Sequence, residues 1–290
     1  MLAAASESLS YLLRSQNADG GWSYRPSGSS WTEPTCLAVM ALGPAPGQHY
    51  KRGLDWLVSQ RRSDGGWGPR AGVAESTWVT ALGLLTMYKA GRAGSDDPAV
   101  RWLTAAAGAE SNWIVRLRSF LLGGGKGGDD TSNQGWPWYP GASAWVAPTS
   151  IALLALDRIN RAYPSAALLR RSREGKAFLL ARRCADGGWN HGSSRALGYD
   201  GPSYAETTGM ALLALAGEPG VSRRSLDRAV EHLSRCRGVE ARSWLQMGLC
   251  AQRIRTAAPV SNLRIHDLRE ASLYLLAEAA LAGLDPFGRN

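Results

Sequence analysis

What the sequence has little of narrows its class first. No apolar run approaches the roughly 20 residues that a membrane-spanning helix needs, so no transmembrane segment is expected. The opening stretch, MLAAASESLSYLLRSQ, has no basic leader, and Ser6, Glu7 and Ser8 interrupt its apolar character, so no secretion signal is expected. Cysteine is scarce: Cys36, Cys184, Cys236 and Cys250 are widely spaced, with no Cys-x-x-Cys pair to hold a metal or run a redox couple. They read as ordinary thiols of a reducing, cytoplasmic compartment. The histidines, His49, His191, His232 and His266, form no closely spaced ligand pair, which argues against zinc or any other bound metal. A basic block with interleaved aromatics is missing, so no nucleic-acid partner is expected. Alternating strand patterns of useful length are missing too, which disfavours a β fold. Nothing calls for a cofactor.

What is present is a repeat. With 290 residues, 44% of them hydrophobic and 20% charged, the composition is that of a soluble globular protein, long enough for one large domain or two ordinary ones. The phrase QNADGGW at 16–22 returns as QRRSDGGW at 60–67 and RRCADGGW at 182–189, and a worn form, Asn133-Gln134-Gly135-Trp136, stands between them. Aligned on Trp22, Trp67, Trp136 and Trp189, the chain falls into similar units. An amphipathic helix comes first, as in LSYLLRSQ, GLDWLVSQRR and GKAFLLARR. After the glycine-tryptophan turn comes a far more apolar helix: TCLAVMAL from Thr35, TWVTALGLL from Thr77, TSIALLAL from Thr149 and TGMALLAL from Thr208. A helix apolar on most of its surface must be surrounded, whereas an amphipathic one can face water. Side-by-side pairs satisfy both by closing into a double ring with the threonine-led helices inside. LDRAVEHLSRC with SWLQMGLCAQRI reads as a fifth pair lacking its turn phrase, and LREASLYLLAEAALAGL as a closing helix. The expected fold is all-α, an α/α toroid of five to six helix pairs, with residues 1–290 as a single domain.

The turn phrase itself reads as structural. Glycine accepts the backbone that ends a helix, aspartate accepts N–H groups within the turn, and tryptophan offers a broad packing face. Asp19, Asp64 and Asp186 recur, whereas a catalytic group is needed once. The stretch LLGGGKGGDDTSNQGW superficially resembles a phosphate loop, but Phe120 stands where the first glycine belongs, and Lys126 precedes glycine. It reads as a surface excursion, in the place of a lid. The net charge of +9 and pI near 9.7 favour an anionic substrate, a phosphate head group or an acidic partner, although the arginines are scattered.

On these residues, QNADGGW resembles the QW motif of squalene-hopene and oxidosqualene cyclases, and the alternating helix pairs resemble their α/α barrels and those of protein prenyltransferase β subunits. The resemblance covers residues 1–217 clearly and the remainder loosely. It implies a terpene cyclase-like enzyme acting on a squalene- or polyprenyl-type isoprenoid by acid-initiated carbocation cyclisation. The cyclases carry an Asp-x-Asp-Asp-Thr motif before an inner helix, whose middle aspartate is the proton donor. Laid on YAETTGMALLAL, that motif puts Glu206 at the protonating position, Thr207 at the next aspartate and Tyr204 at the first, so two acidic positions are lost. Glu206 is thus the candidate acid, with Asp200 or Glu33 as a hydrogen-bonding neighbour.

Glutamate precedes the threonine by two positions in three units, as Glu33, Glu75 and Glu206, with Ala147 in the remaining one. Parallel inner helices bring these to one mouth, where they complement the helix dipoles as well as offering acids. Trp31, Trp136, Trp138, Trp145, Tyr199 and Tyr204 fall between a turn phrase and an inner helix and form an expected aromatic wall for an isoprenoid and its cations. Tyr139 falls in the same intervals. The prenyltransferase resemblance would need zinc held by Asp, Cys and His, and no cysteine stands where that metal needs one; Arg182, Arg183 and Arg195 could meet a diphosphate. The acid-initiated cyclases generally use two barrels where this chain has one. Two other readings follow: a non-catalytic toroid binding an isoprenoid, peptide or protein partner in its centre, and a glycan-active enzyme using a carboxylate pair. A homodimer or partner subunit would help enclose a cavity, and an isoprenoid substrate is compatible with peripheral membrane contact.

Overall fold

Two kinds of helix alternate along the chain, and their burial separates them into two rings. The computed structural model describes residues 2–45, 47–109, 134–192, 195–196, 199–255 and 264–289, without the side chains of 2–4, 195–196 and 199–200. Helices α1 (Leu2–Arg14), α3 (Gln48–Ser59), α5 (Pro98–Ala105), α7 (Ala166–Ala181) and α9 (Arg223–Arg235) are partly wet. In α9, RRSLDRAVEHLSR, only Ser225, Ala229 and Leu233 are buried, one stripe at four-residue spacing. Helices α2 (Thr32–Leu42), α4 (Val79–Lys89), α6 (Val146–Ala162), α8 (Ala205–Ala214), α10 (Val239–Ala251) and α11 (Leu268–Leu281) are buried round most of their circumference.

The second group closes on itself. α2 packs on α4, α4 on α6, α6 on α8, α8 on α10, α10 on α11, and α11 back on α2. Outside this ring, α3 lies on α2, α5 on α4, α7 on α6, α9 on α8 and α10, and α1 on α11. The expected α/α toroid is therefore present, and LREASLYLLAEAALAGL closes it. α8 and α10 touch backbone to backbone: a Cβ on Gly209 would lie 2.4 Å from Leu245 N, and one on Gly248 2.4 Å from Gly209 O. A two-rung hairpin, β1 (Arg195–Ala196) with β2 (Tyr199–Asp200), interrupts the loop before α8. Among the described residues no helix is long and apolar enough to cross a membrane.

The recurring phrase clasps the rings together. Each tryptophan indole donates to a carbonyl of the preceding outer helix: Trp22 to Leu12 O at 2.9 Å, Trp67 to Leu57 O at 2.7 Å, Trp136 to Leu103 O at 2.8 Å and Trp189 to Leu179 O at 2.6 Å. Each tryptophan backbone N–H donates to a threonine on the following inner helix: Thr35, Thr80, Thr149 and Thr208. The aspartates serve the same turns. Asp19 accepts from Gly21 N, Ser30 Oγ and Trp56 Nε1, and Asp186 accepts from Gly188 N and Ser203 and pairs with Arg228, so each reaches the next outer helix. Gly20, Gly65 and Gly187 hold φ of 96°, 89° and 100°, the left-handed conformation that lets the turn fold back.

One register differs from expectation. The hydroxyl that clasps the second unit is Thr80, not Thr77, and α4 starts at Val79. The reason is the reach of the turn: Trp22 to Thr35, Trp67 to Thr80 and Trp136 to Thr149 share one sequence separation, 13. The fourth unit stretches this to 19 by inserting the hairpin. The glycine-rich excursion lies outside the described residues apart from its last three, Gln134, Gly135 and Trp136.

The C-terminal residues seal the far end of the ring. Phe287 is fully buried, Lys89 Nζ donates to Pro286 O at 3.0 Å, and Arg289 donates to Tyr88 O and Ala93 O. Burial at this seam lowers the proton affinity of Lys89.

Candidate functional site: the N-terminal mouth of the ring

Five inner helices place their second residue at one mouth: Glu33 in α2, Ala147 in α6, Glu206 in α8, Glu240 in α10 and Arg269 in α11. The residue just before the helix is aromatic in four: Trp31, Trp78, Trp145 and Tyr204. None of these makes a side-chain capping bond. A serine or aspartate there would stabilise the helix start by about 0.5–2 kcal/mol, so helix capping does not account for the aromatic choice.

The mouth divides into a charged half and an aromatic half. In the charged half Arg269 faces three carboxylates. Its Nε lies 3.0 Å from Glu33 Oε1, its Nη2 lies 3.9 Å from Glu206 Oε1, and Nη2 contacts Glu240 Oε1. The contacts to Glu33 and Glu240 are ion pairs at angles outside hydrogen-bond geometry. The Tyr24 hydroxyl donates to Glu33 Oε2 at 2.5 Å. Burial raises the proton affinity of Glu33; Arg269 and the Tyr24 hydrogen bond work against this, and the charges of Glu206 and Asp267 reinforce it. Burial and the adjoining Glu33 likewise push the Tyr24 phenol above its ordinary range.

In the aromatic half, rings pack against one another, two pairs edge to face and two tilted. Tyr24 and Trp31 lie 5.6 Å apart beside Glu33, with Arg70 over Trp31 at 5.3 Å. Trp78 and Trp138 lie 4.9 Å apart at 88°. His191 stacks 5.0 Å from Tyr204 and 6.2 Å from Trp145. A cavity of about 320 Å³ opens between α4 and α6, walled by Trp78, Trp102, Trp136 and Tyr139. A shallower one of about 450 Å³, with Trp145, His191, Tyr204 and Arg182 in its wall, lies between α6 and α8. Both sizes fall in the range typical of small-molecule sites.

The expected site residues are thus partly brought together. Glu33 and Glu206 share Arg269; Trp31, Trp145 and Tyr204 stand on the mouth; Trp138 packs on Trp78. Trp136 is 2% exposed and is a clasp ring first, offering one face to the cavity. Glu75 is exposed, and because the second unit is registered on Thr80, the mouth position expected for Glu75 belongs to Trp78. The backbone of Tyr199 and Asp200 forms the hairpin, while their side chains lie outside the described residues, as does that of Arg195. Arg182 donates to Gly192 O and covers Phe178, and Arg183 donates to Gly220 O. Among the described residues no cluster of three or more His, Cys, Asp or Glu is arranged to hold a metal; the guanidinium of Arg269 sits among the mouth carboxylates instead.

Sequence reasoning missed Tyr24, Glu240 and Arg269. The last two were within reach, since extending the helix-start position of Glu33 and Glu206 to α10 and α11 lands on them. Tyr24 carries no such signal.

No known family model matches the chain, and no curated protein matches it. Solved structures do. A protein from Actinoplanes aligns with TM-score 0.57 at 15% identity over 97% of this chain and 99% of that one. Type II terpene cyclase MstE from Scytonema aligns at 0.55 and 17% over 98% of this chain and 78% of that one. An inactive variant of α-1,6-mannanase GH76A of Salegentibacter sp. HEL1_6, in complex with α-1,6-mannotriose, aligns at 0.56 and 12% over 97% and 98%. These likenesses show the fold, a terpene cyclase-like α/α toroid that a glycan-active enzyme also uses. Fold does not select among activities.

Proposed function

We propose that this chain is a terpene cyclase-like enzyme that takes an isoprenoid, or a similarly apolar unsaturated molecule, at the N-terminal mouth and begins its cyclisation by protonating a carbon–carbon double bond. The observation that carries this reading is the meeting at one mouth of aromatic rings with a carboxyl, Glu33, whose proton affinity burial raises. A general acid must hold its proton before the reaction, and the raised proton affinity of Glu33 meets that need. Its O–H bond breaks as a C–H bond forms at one alkene carbon. The cation left on the neighbouring carbon lies against the faces of Tyr24 and Trp31 until a further double bond attacks it. Arg269 stabilises the Glu33 carboxylate left behind; the cyclised cation then gives up a proton to water, and solvent reprotonates Glu33, which restores the acid. The likeness to MstE, solved with geranylgeranyl dihydroxybenzoate as substrate and merosterolic acid A as product, supports the ligand class.

A second reading, a non-catalytic toroid that holds an isoprenoid, peptide or protein partner, draws on the pairing of Arg269 with three glutamates, which favours carboxylates over acids. Incubation with squalene and with geranylgeranyl diphosphate, followed by product analysis, tests the first. Product should form and fall at least about 100-fold in Glu33→Gln, while ligand quenching of tryptophan fluorescence persists. Turnover that survives both Glu33→Gln and Glu206→Gln removes the acid assignment. Ligand binding without product establishes the second reading, and cleavage of α-1,6-mannan would overturn both.

A further inference from the structure

The opposite mouth of the ring is basic. The C-terminal ends of α6, α8, α10 and α11, with the last residues of the chain, enclose a cavity of about 430 Å³. Leu213 and Met247 lie buried at its base, the exposed Leu284 gives it an apolar wall, and Arg158, Arg161, Arg253 and Arg255 line it against one carboxylate, Asp285. That carboxylate is engaged. Both its oxygens meet Arg158, and one also accepts the N–H of Phe287. Arg161, Arg253 and Arg255 are exposed, with no carboxylate partner among the described residues. The sequence that follows them, TAAPVSNL at 256–263, contains no acidic residue.

Helix C-termini attract cations on their own account, and Arg161, in the last turn of α6, fits that explanation. Arg253 does not. It stands beyond the end of α10 at φ 62°, its N–H bonded to Cys250 O and the N–H of Ile254 to Leu249 O. The same pair of bonds ends α4 and α11, and there the left-handed position is glycine: Gly91 at φ 69° and Gly283 at φ 85°. A side chain in this conformation is strained where glycine is not. The chain uses glycine at two ends and gives up conformational energy at the third to place a guanidinium on this mouth. No packing requires it, because the side chain is exposed. Strain retained without a packing reason is of the kind that clusters at functional sites.

We propose that this C-terminal mouth binds an amphipathic anion, with a phosphate-type head held by Arg161, Arg253 and Arg255 and the apolar part laid against Leu284. Guanidinium forks match phosphate oxygens two by two, and three of them on one rim supply both charge and direction. The site is separate from the acid and aromatic mouth and does not depend on the activity proposed there.

Titration of the full chain with inorganic phosphate, dodecyl phosphate and phosphatidylglycerol vesicles, with phosphatidylcholine vesicles as control, tests it. Dodecyl phosphate should bind saturably, about tenfold or more tighter than inorganic phosphate, and more weakly as salt rises. Arg253→Gly should weaken that binding about tenfold or more while raising the melting temperature, because the loss of one charge-assisted contact is coupled to relief of strain. Arg255→Gln should weaken it without lowering the melting temperature, and Arg161→Gln should weaken it with only the small stability loss of a cation at a helix C-terminus. Vesicle binding that falls in the same variants identifies a lipid head group as the source of the phosphate, and binding of dodecyl phosphate without vesicle binding identifies a free amphiphile. The proposal is overturned if neither dodecyl phosphate nor phosphatidylglycerol binds, if inorganic phosphate binds as tightly as dodecyl phosphate, or if Arg253→Gly keeps wild-type affinity.

Discussion

At the residue scale, Glu33 couples the N-terminal mouth to pH. Its proton affinity in the folded chain is above the ordinary value of 4.5, so the native state holds this proton more tightly than the unfolded chain does. The stability it contributes is complete below pH 4.5 and is lost as pH rises through the folded value. Glu33→Gln should therefore flatten the fall in melting temperature above pH 4.5, and a slope identical to wild type would contradict the burial seen at this carboxyl. Arg269 opposes the shift. Arg269→Gln should raise the Glu33 pKa further, measurable by carbon NMR of the carboxyl, and destabilise the fold by about 2 kcal/mol as three glutamates lose their cation.

At the scale of the elements, the clasp makes a prediction that two threonines can decide. Thr80 Oγ1 accepts from Trp67 N, whereas the Thr77 hydroxyl is buried without a hydrogen-bond partner among the described residues. Thr80→Val should cost about 1–3 kcal/mol in denaturant unfolding, since it leaves a buried N–H unsatisfied. Thr77→Val should be neutral or stabilising, since it removes an unsatisfied hydroxyl. The reverse ranking would restore the sequence-derived register. α4 also carries Gly83, whose added Cβ would come within 2.6 Å of the Trp67 ring. Gly83→Ala should cost about 1–3 kcal/mol through overpacking, despite the better helix propensity of alanine.

For the whole molecule, the ring must close before either mouth exists. α11 bridges α10 and α2, and the tail that follows it packs Phe287 beneath the ring while Arg289 reaches the end of α4. Phe287→Ala should destabilise the chain by about 3–5 kcal/mol, and because one closed ring is being opened, the loss should appear in a single unfolding transition followed equally by tryptophan fluorescence and helical circular dichroism. A separate early transition would show that the last helix docks as an independent unit. The two mouths also differ in charge along the parallel inner helices. Glutamates gather where the helix dipoles are positive and arginines where they are negative, so each mouth is electrostatically favoured by the same arrangement that builds the ring.

The amino-acid sequence by itself determined the ring. Apolar content all round one helix of each pair and on one stripe of the other admits few packings, and the glycine-tryptophan phrase is a local signal that survives in any context. Sequence also placed Glu33, Glu206 and the aromatic caps Trp31, Trp145 and Tyr204 on one mouth, because residues at equivalent helix starts share an end when the helices are parallel. Only the tertiary structure decided what surrounds those residues. Arg269 lies far along the chain from Glu33 and meets it only because α11 returns to α2, which no local pattern encodes. The same closure buries Glu33 beside Tyr24 and brings the arginines at the ends of α6 and α10 to one cavity. Proton affinity and charge density depend on distances through space, and those are fixed when the ring shuts.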